Sequence, residues 1–237
     1  MFKRLLKRLS LPCSRSMPIT ASRFHGVPVT SEPLEGRRLF DSASMNGSVL
    51  EVFGDFSADQ IDVYLIHGSL SDNIYVAFEG DSLNPAGPFN QNSVSRIDVF
   101  ADGGDDVVTI ETDSAWNFGN GQGVNENTRI YCNSGNDRVN GGDFADEIFG
   151  ELGNDTLDGR GGDDSMYGGY AGNDTADTSG NDTLTGGSGN DLMYGGPGDD
   201  VLNVSDGVGS NDSANGGPGT DDSDGGDAGD SILNCEL

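Results

Sequence analysis

The sequence predicts an all-β protein: a parallel β-roll in the C-terminal half, preceded by a β-rich region and a disordered basic leader. Three observations point there. An aspartate returns about every nine residues from Asp137 onward. A residue that is usually apolar stands two positions after each of them. Glycine, at 38 of 237 residues, clusters in the short runs just before them. Brief strands between glycine turns at a fixed period are the pattern of a solenoid, where each coil buries its apolar face only against its neighbours.

Residues 1–45 read as a leader and possible sorting segment. Residues 1–40 hold eight of the twelve basic residues against two acids, a net of +6, while residues 41–237 carry 38 acids and four bases, a net of -34. Lys3, Arg4, Lys7 and Arg8 interrupt every apolar run, so the opening lacks the continuous apolar stretch of a standard secretory signal. The segment Pro33-Leu34-Glu35-Gly36-Arg37-Arg38-Leu39-Phe40 resembles the Leu-Glu-Pro-Arg type N-terminal motif of planctomycete surface and secreted proteins, with glycine where that motif has proline. The resemblance implies a sorting role. The proline before Cys13 argues against a lipoprotein cleavage site, and no stretch reaches the length of a transmembrane helix. Cys13, Cys132 and Cys235 are far apart, show no metal-ligand spacing and are assigned no function.

Residues 46–115 form the β-rich region. Strand candidates are Ser48 to Phe53, Ile61 to Ile66, Asn73 to Phe78 and Ser95 to Phe100, separated by turns at Gly54-Asp55, Gly68, Gly80-Asp81 and Asn84 to Gly87. Two degenerate repeats stand here, Asp59 with Ile61 and Asp106 with Val108. The region is either a longer-looped version of the same coil or a small β-sandwich capping it, and Asp59 and Asp106 are read as plain turn residues. Residues 116–130, rich in Gly and Asn, read as a linker.

Residues 131–237 carry the array. Asp137, Asp146, Asp155 and Asp164 are nine apart, Asp174 follows after ten and Asp182 after eight, and Asp191 and Asp200 return at nine. The next step is twelve, to Asp212, followed by Asp221 and Asp230 at nine. The apolar position holds Val139, Ile148, Leu157, Met166, Ala176, Leu184, Met193 and Leu202, then Ala214 and Ile232. Ser223 fills it after Asp221, so the last part is expected to be the loosest. Phe144-Ala145 before Asp146, Glu151-Leu152 before Asp155 and Asp227-Ala228-Gly229 before Asp230 depart from the glycine pattern.

Around most of these aspartates the text is Gly-Gly-x-Gly-x-Asp-x-U-x, with U a large apolar residue, and over roughly residues 131–233 it resembles the RTX, or haemolysin-type, calcium-binding repeat. That resemblance implies six-residue turns, three-residue strands and turns that alternate sides, so that two nonapeptides make one coil. It also implies several Ca2+ ions, with Asp137, Asp146, Asp155, Asp164, Asp174, Asp182, Asp191, Asp200, Asp212 and Asp230 as candidate ligands. Calcium takes about 6–8 oxygen ligands. One turn offers one carboxylate and a few carbonyls, so two stacked turns are needed. A coil of 18 residues then pairs Asp137 with Asp155, Asp146 with Asp164, Asp164 with Asp182, Asp182 with Asp200, and Asp174 with Asp191. Without metal each row is a column of like charges, which couples binding to folding.

Other function classes find little here. The acidic body repels nucleic acid. His-Glu-x-x-His and Gly-x-Ser-x-Gly are absent, and the two histidines, His25 and His67, lie in the leader and at a strand end. The expectation is a non-enzymatic, extracellular or cell-surface calcium-binding protein with a structural or adhesive role, its partners calcium and surface or matrix components. The alternatives are the calcium-binding accessory or secretion-signal region of a haemolysin- or protease-like exoprotein, and a calcium-dependent ice-binding roll. The outward positions (Arg138, Asn140, Glu147, Phe149, Thr156, Asp158) are too mixed for the flat array that ice binding needs.

Overall fold

The computed structural model describes residues 41–66, 72–78, 85–111, 124, 126–169, 180–205, 210–226 and 229–235. The basic leader up to residue 40, Asp174, Ala176, His67 and most of the 116–130 linker lie outside the described residues.

Alternation decides the first strands. In β2 (Val49–Phe53), Leu50 and Val52 point inward and are fully buried. β3 (Gln60–Ile66) does the same with Ile61 and Val63, and β4 (Asn73–Phe78) with Ile74 and Val76. β1 (Ser42–Asn46) runs antiparallel to β2, and β5 (Ala86–Asn90) antiparallel to β4, which is itself antiparallel to β3. After a 3-10 turn at Gln91–Ser93, β6 (Arg96–Phe100) joins β2 in parallel and β7 (Val107–Ile110) joins β3 in parallel. β8 (Thr128–Tyr131) pairs with β6.

From there the strands shorten. They are β9 (Arg138–Asn140), β10 (Glu147–Phe149), β11 (Thr156–Gly161), β12 (Ser165–Tyr167), β13 (Thr183–Ser188), β14 (Leu192–Tyr194), β15 (Val201–Asn203), β16 (Ser213–Asn215), β17 (Asp222–Asp224) and β18 (Ser231–Leu233). The chain alternates between two nine-stranded sheets, one ordered β1-β2-β6-β8-β10-β12-β14-β16-β18 and the other β17-β15-β13-β11-β9-β7-β3-β4-β5. Every pairing from β6 and β7 onward is parallel, so the described chain is an all-β parallel roll. Each short strand gives one inward side chain: Val139, Leu157, Leu184 and Leu202 stack in one sheet, and Ile130, Ile148, Met166, Met193 and Ala214 in the other. All of these are fully buried.

Three points bear on the sequence reading. First, of the two readings of residues 46–115 the structure has the longer-looped version of the same coil: the region shares both sheets with the roll, β6 and β7 hand directly to β8 and β9, and antiparallel strands extend the sheets at that end. β1 begins at Ser42, within the stretch read as leader, and β8 lies largely within the stretch read as linker. Second, Asp164 does not stack on Asp182, because β12 and β13 belong to different sheets. β11 pairs with β13 and β12 with β14, so both rows advance there by 27 residues rather than 18. A coil needs one strand per sheet, and a third nonapeptide would put the next strand on the wrong side. Third, the compensated steps of ten and eight therefore mark a coil longer by one whole nonapeptide, not a preserved 18-residue coil. Asp174 with Asp191 is superseded likewise, since Asp191 stacks on Asp164.

The outer face of the first sheet carries an unbroken aromatic stack. Phe53, Phe100, Tyr131, Phe149, Tyr167 and Tyr194 lie ring on ring with centroids 5.0–6.1 Å apart. Parallel in-register strands impose this, because the last residue of each strand falls directly beside its counterpart. Such pairs contribute about 0.5–1.5 kcal/mol each beyond the area they bury.

Candidate metal centre

Each turn opens on the residue after the three inner strand positions, with β11 and β13 running on into it, and ends on an aspartate before the next strand. The turn from Gly186 to Asp191 has Gly187 at φ +98 and Gly189 at φ +146, both in the region that favours glycine. Stacking makes the second of these obligatory: a Cβ on Gly189 would lie on the Gly162 carbonyl oxygen of the coil before it. The first is less strict, and Asn133, Glu151 and Arg160 hold it at φ 69, 72 and 71.

The aspartates form two ladders, one along each edge of the roll. In the first, Asp59, Asp106, Asp137, Asp155, Asp182 and Asp200 each donate the backbone N–H to Oδ1 of the next aspartate, ending on Asp221, at 2.7–3.0 Å. In the second, Thr128, Asp146, Asp164, Asp191 and Asp212 do the same toward Asp146, Asp164, Asp191, Asp212 and Asp230, at 2.8–3.0 Å. Of the expected pairs, Asp137 with Asp155, Asp146 with Asp164, and Asp182 with Asp200 are brought together. Asp59, Asp106 and Asp221 join the first ladder although they were not among the candidates; the spacing of Asp59 to Ile61 and Asp106 to Val108 was the available signal. A second ladder of amides runs outside the first, with Asn136, Asn154 and Asn181 accepting in turn from the next coil.

The other carboxylate oxygen carries the chemistry. Oδ2 of Asp155, Asp164, Asp182, Asp200 and Asp221 is buried and has no hydrogen-bond partner. These residues are only 1–2 % exposed, so water does not compensate. Each of these oxygens faces a glycine that opens its turn: Gly150, Gly159, Gly168, Gly195 and Gly216 respectively. A Cβ on any of the five would collide with that oxygen and with a carbonyl oxygen of the neighbouring coil, from Gly168, Gly186, Gly195, Gly216 and Asn234 respectively. The result is a small cradle lined by a carboxylate and carbonyls, the hard oxygen donors that suit calcium. Gly186 stands in the same relation to Asp191.

Burial pushes the carboxyls up, to about 8 for Asp164 and Asp182 and to about 6 for Asp155 and Asp200. The backbone N–H from the preceding coil pulls each of them down, but less than burial raises it. Neighbouring aspartates raise Asp164 and Asp182 further. A divalent cation in the cradles removes this penalty.

The first turns differ. Asp146 keeps its ladder position despite Phe144-Ala145, but its Oδ2 accepts the Gly142 N–H at 2.7 Å and its Oδ1 accepts both N–H and Oγ1–H of Thr128. At the N-terminal end Asp41, Asp55 and Asp59 bring carboxylate oxygens within 4.8 Å of one another, with the Asp55 N–H donating to Asp59 Oδ2. Among the described residues, no helix is long and apolar enough to cross a membrane.

Comparison with known proteins agrees with this geometry. Residues 131–166, 168–202 and 177–209 match the RTX calcium-binding nonapeptide repeat, in four copies. No curated protein and no solved structure matches the chain. Most of the glycine cradles that face buried aspartates lie in the matched stretch: these residues carry RTX calcium-binding nonapeptide repeats, and their buried aspartates fit several Ca2+ ions.

Proposed function

We propose that this is a non-enzymatic secreted or cell-surface protein whose C-terminal roll is ordered by calcium and serves a structural or adhesive role. The observation that carries the reading is the row of buried Oδ2 atoms of Asp155, Asp164, Asp182, Asp200 and Asp221, each beside a glycine and a carbonyl of the neighbouring coil. Asp155, Asp182, Asp200 and Asp221 would hold ions along one edge, and Asp164, Asp191, Asp212 and Asp230 along the other. Calcium supplies positive charge and a demand for several oxygen ligands. The chain supplies two stacked turns per ion and keeps water out of the carboxylate side.

A secreted setting follows from the coupling of metal to folding. Residues 41–237, at net -34, repel themselves without cations, and millimolar extracellular calcium is in the range where weak sites fill. The apolar layer is filled by side chains, and the outer faces offer long regular surfaces, which suits adhesion or matrix assembly.

Circular dichroism of the full chain during a calcium titration tests the metal-dependent ordering, with magnesium as control. A β signal should grow with calcium and far less with magnesium. Asp164→Ala and Asp182→Ala should each move the midpoint to higher calcium. An unchanged midpoint in both removes them from the ligand set.

A further inference from the structure

We infer that the calcium array has a built-in N-terminal stop, in the coil that runs from Thr128 to Cys132. This rests on the calcium reading above and says where along a continuous ladder the metal begins.

The ladder itself gives no such boundary. On the first edge it extends back through Asp137 and Asp106 to Asp59 with unchanged hydrogen bonding. What changes is the residue that opens each turn. Following the first sheet, these residues are Gly54, Ala101, Cys132, Gly150, Gly168, Gly195 and Gly216, one after each of Phe53, Phe100, Tyr131, Phe149, Tyr167, Tyr194 and Asn215. In the turns of Asp155, Asp182, Asp200 and Asp221 the absent Cβ leaves the oxygen-lined cradle. In the turns of Asp106 and Asp137 a side chain stands there instead. Ala101 and Cys132 are both 0 % exposed, so their atoms are inside the turn and not turned out to solvent. A methyl or a CH2–SH group in that place offers calcium no hard donor and takes the space of the ion.

The second edge stops in the same coil by a different route. The inward column of the first sheet reads Leu50, Ile97, Thr128 by strand pairing. Thr128 then donates its N–H to Asp146 Oδ1, as the aspartates do further along. The column thus passes from apolar through hydroxyl to carboxylate. Thr128 has no carboxylate to give, and its hydroxyl adds a second bond to Asp146 at 2.8 Å. With Gly142 bonded to Oδ2, both oxygens of Asp146 are satisfied without metal. Metal therefore begins at Asp155 on one edge and Asp164 on the other. Before them Oδ2 of Asp106 and Asp137 is equally buried and without a hydrogen bond, but its turn opens on Ala101 or Cys132 in place of glycine, and Asp59 Oδ2, beside Gly54, already accepts the Asp55 N–H.

Calcium stoichiometry of the full chain, measured by equilibrium dialysis and by titration calorimetry, tests this. Cys132→Gly opens the cradle beside Asp137 and should bind one ion more than the parent. Gly150→Cys copies the stop one coil later and should bind one ion fewer. If Cys132→Gly folds and keeps the parent stoichiometry, or Gly150→Cys loses nothing, the stop is not at Cys132. A parent chain that binds no calcium at all overturns the calcium reading itself, which is a separate outcome from either variant.

Discussion

The first third of the solenoid and its C-terminal half share two sheets yet hold together by different means. Between β2 and β8 a strand buries two side chains: Leu50 and Val52, Ile61 and Val63, Ile97 and Val99, Val108 and Ile110. From β9 onward each strand buries one, and near the C-terminus that one shrinks to Ala214 and Ser223. Each fully buried aliphatic side chain contributes about 1.5–3 kcal/mol, so halving their number per coil removes much of the favourable energy. The later coils replace it with cradles that only a cation satisfies. The difference teaches that a regular backbone does not imply a regular source of stability: one ladder runs through a part that packs and a part that binds.

Calcium removal should break this comparison most visibly. In chelator, amide hydrogen exchange should rise to unprotected values across β11 to β18, while β2, β3, β4 and β6 keep slow exchange. Uniform loss or uniform retention of protection across both parts would show that they do not differ in metal dependence.

Core truncation comes next in size. Leu157→Ala and Ile97→Ala each remove a fully buried side chain and should cost about 2–5 kcal/mol. In calcium, denaturant unfolding followed by exchange should place the Ile97→Ala loss in the early coils. Leu157→Ala should instead raise the calcium midpoint, since the stack from Val139 to Leu202 is continuous around it.

The sequence carried the period, the alternation of the early strands and most of the ligand set, because those follow from local chemistry. Asp137 to Asp200 stand on the ladders wherever they are described, and the strand candidates at Asn73 to Phe78 and Ser95 to Phe100 are β4 and β6 to within a residue. The longer coil between β11 and β13 was not legible, because counting residues cannot say which of three nonapeptides is skipped. The role of Cys132 was not legible either: cysteine spacing was searched for partners, whereas the residue matters by standing where its neighbours have glycine. Asp59 and Asp106 had the right spacing but carry Gly54-Asp55 and Ala101-Asp102 where the repeat opens on Gly-Gly, and long intervals of 47 and 31 residues hid their stacking.

The pH dependence of the metal-free protein is a smaller effect, concentrated in the later coils, although burial also pushes Asp106 in the early part up to about 6. Asp164 and Asp182 titrate near 8 in the folded chain and Asp155 and Asp200 near 6, against about 3.9 when unfolded. A raised carboxyl pKa means the folded state binds more protons between those values, so stability falls as pH rises from about 4 to 8. Without calcium the roll should melt at a higher temperature at pH 5 than at pH 8. Calcium must displace the same protons, so its affinity should rise over that window. A metal-free melting temperature that rises with pH would mean the carboxyls are not buried as described.

The smallest effect sharpens the comparison at one turn. Glu151 opens toward solvent at φ 72, in a place where Gly187, Gly196 and Gly217 stand in later turns at φ 98, 107 and 105. A non-glycine residue in that region costs about 1–2 kcal/mol, and glycine returns about 0.5–1 kcal/mol of that as lost unfolded-chain freedom. Glu151→Gly should therefore stabilise the calcium-loaded roll by roughly 0.5–1 kcal/mol. It also removes one negative charge beside Cys132, since Glu151 is among the acids that raise that thiol. Glu151→Gln separates the two contributions: it keeps the backbone cost and removes the charge. If the glutamine variant matches the glycine variant in chemical denaturation, the gain is electrostatic, and the turn tolerates a side chain at this position at no cost.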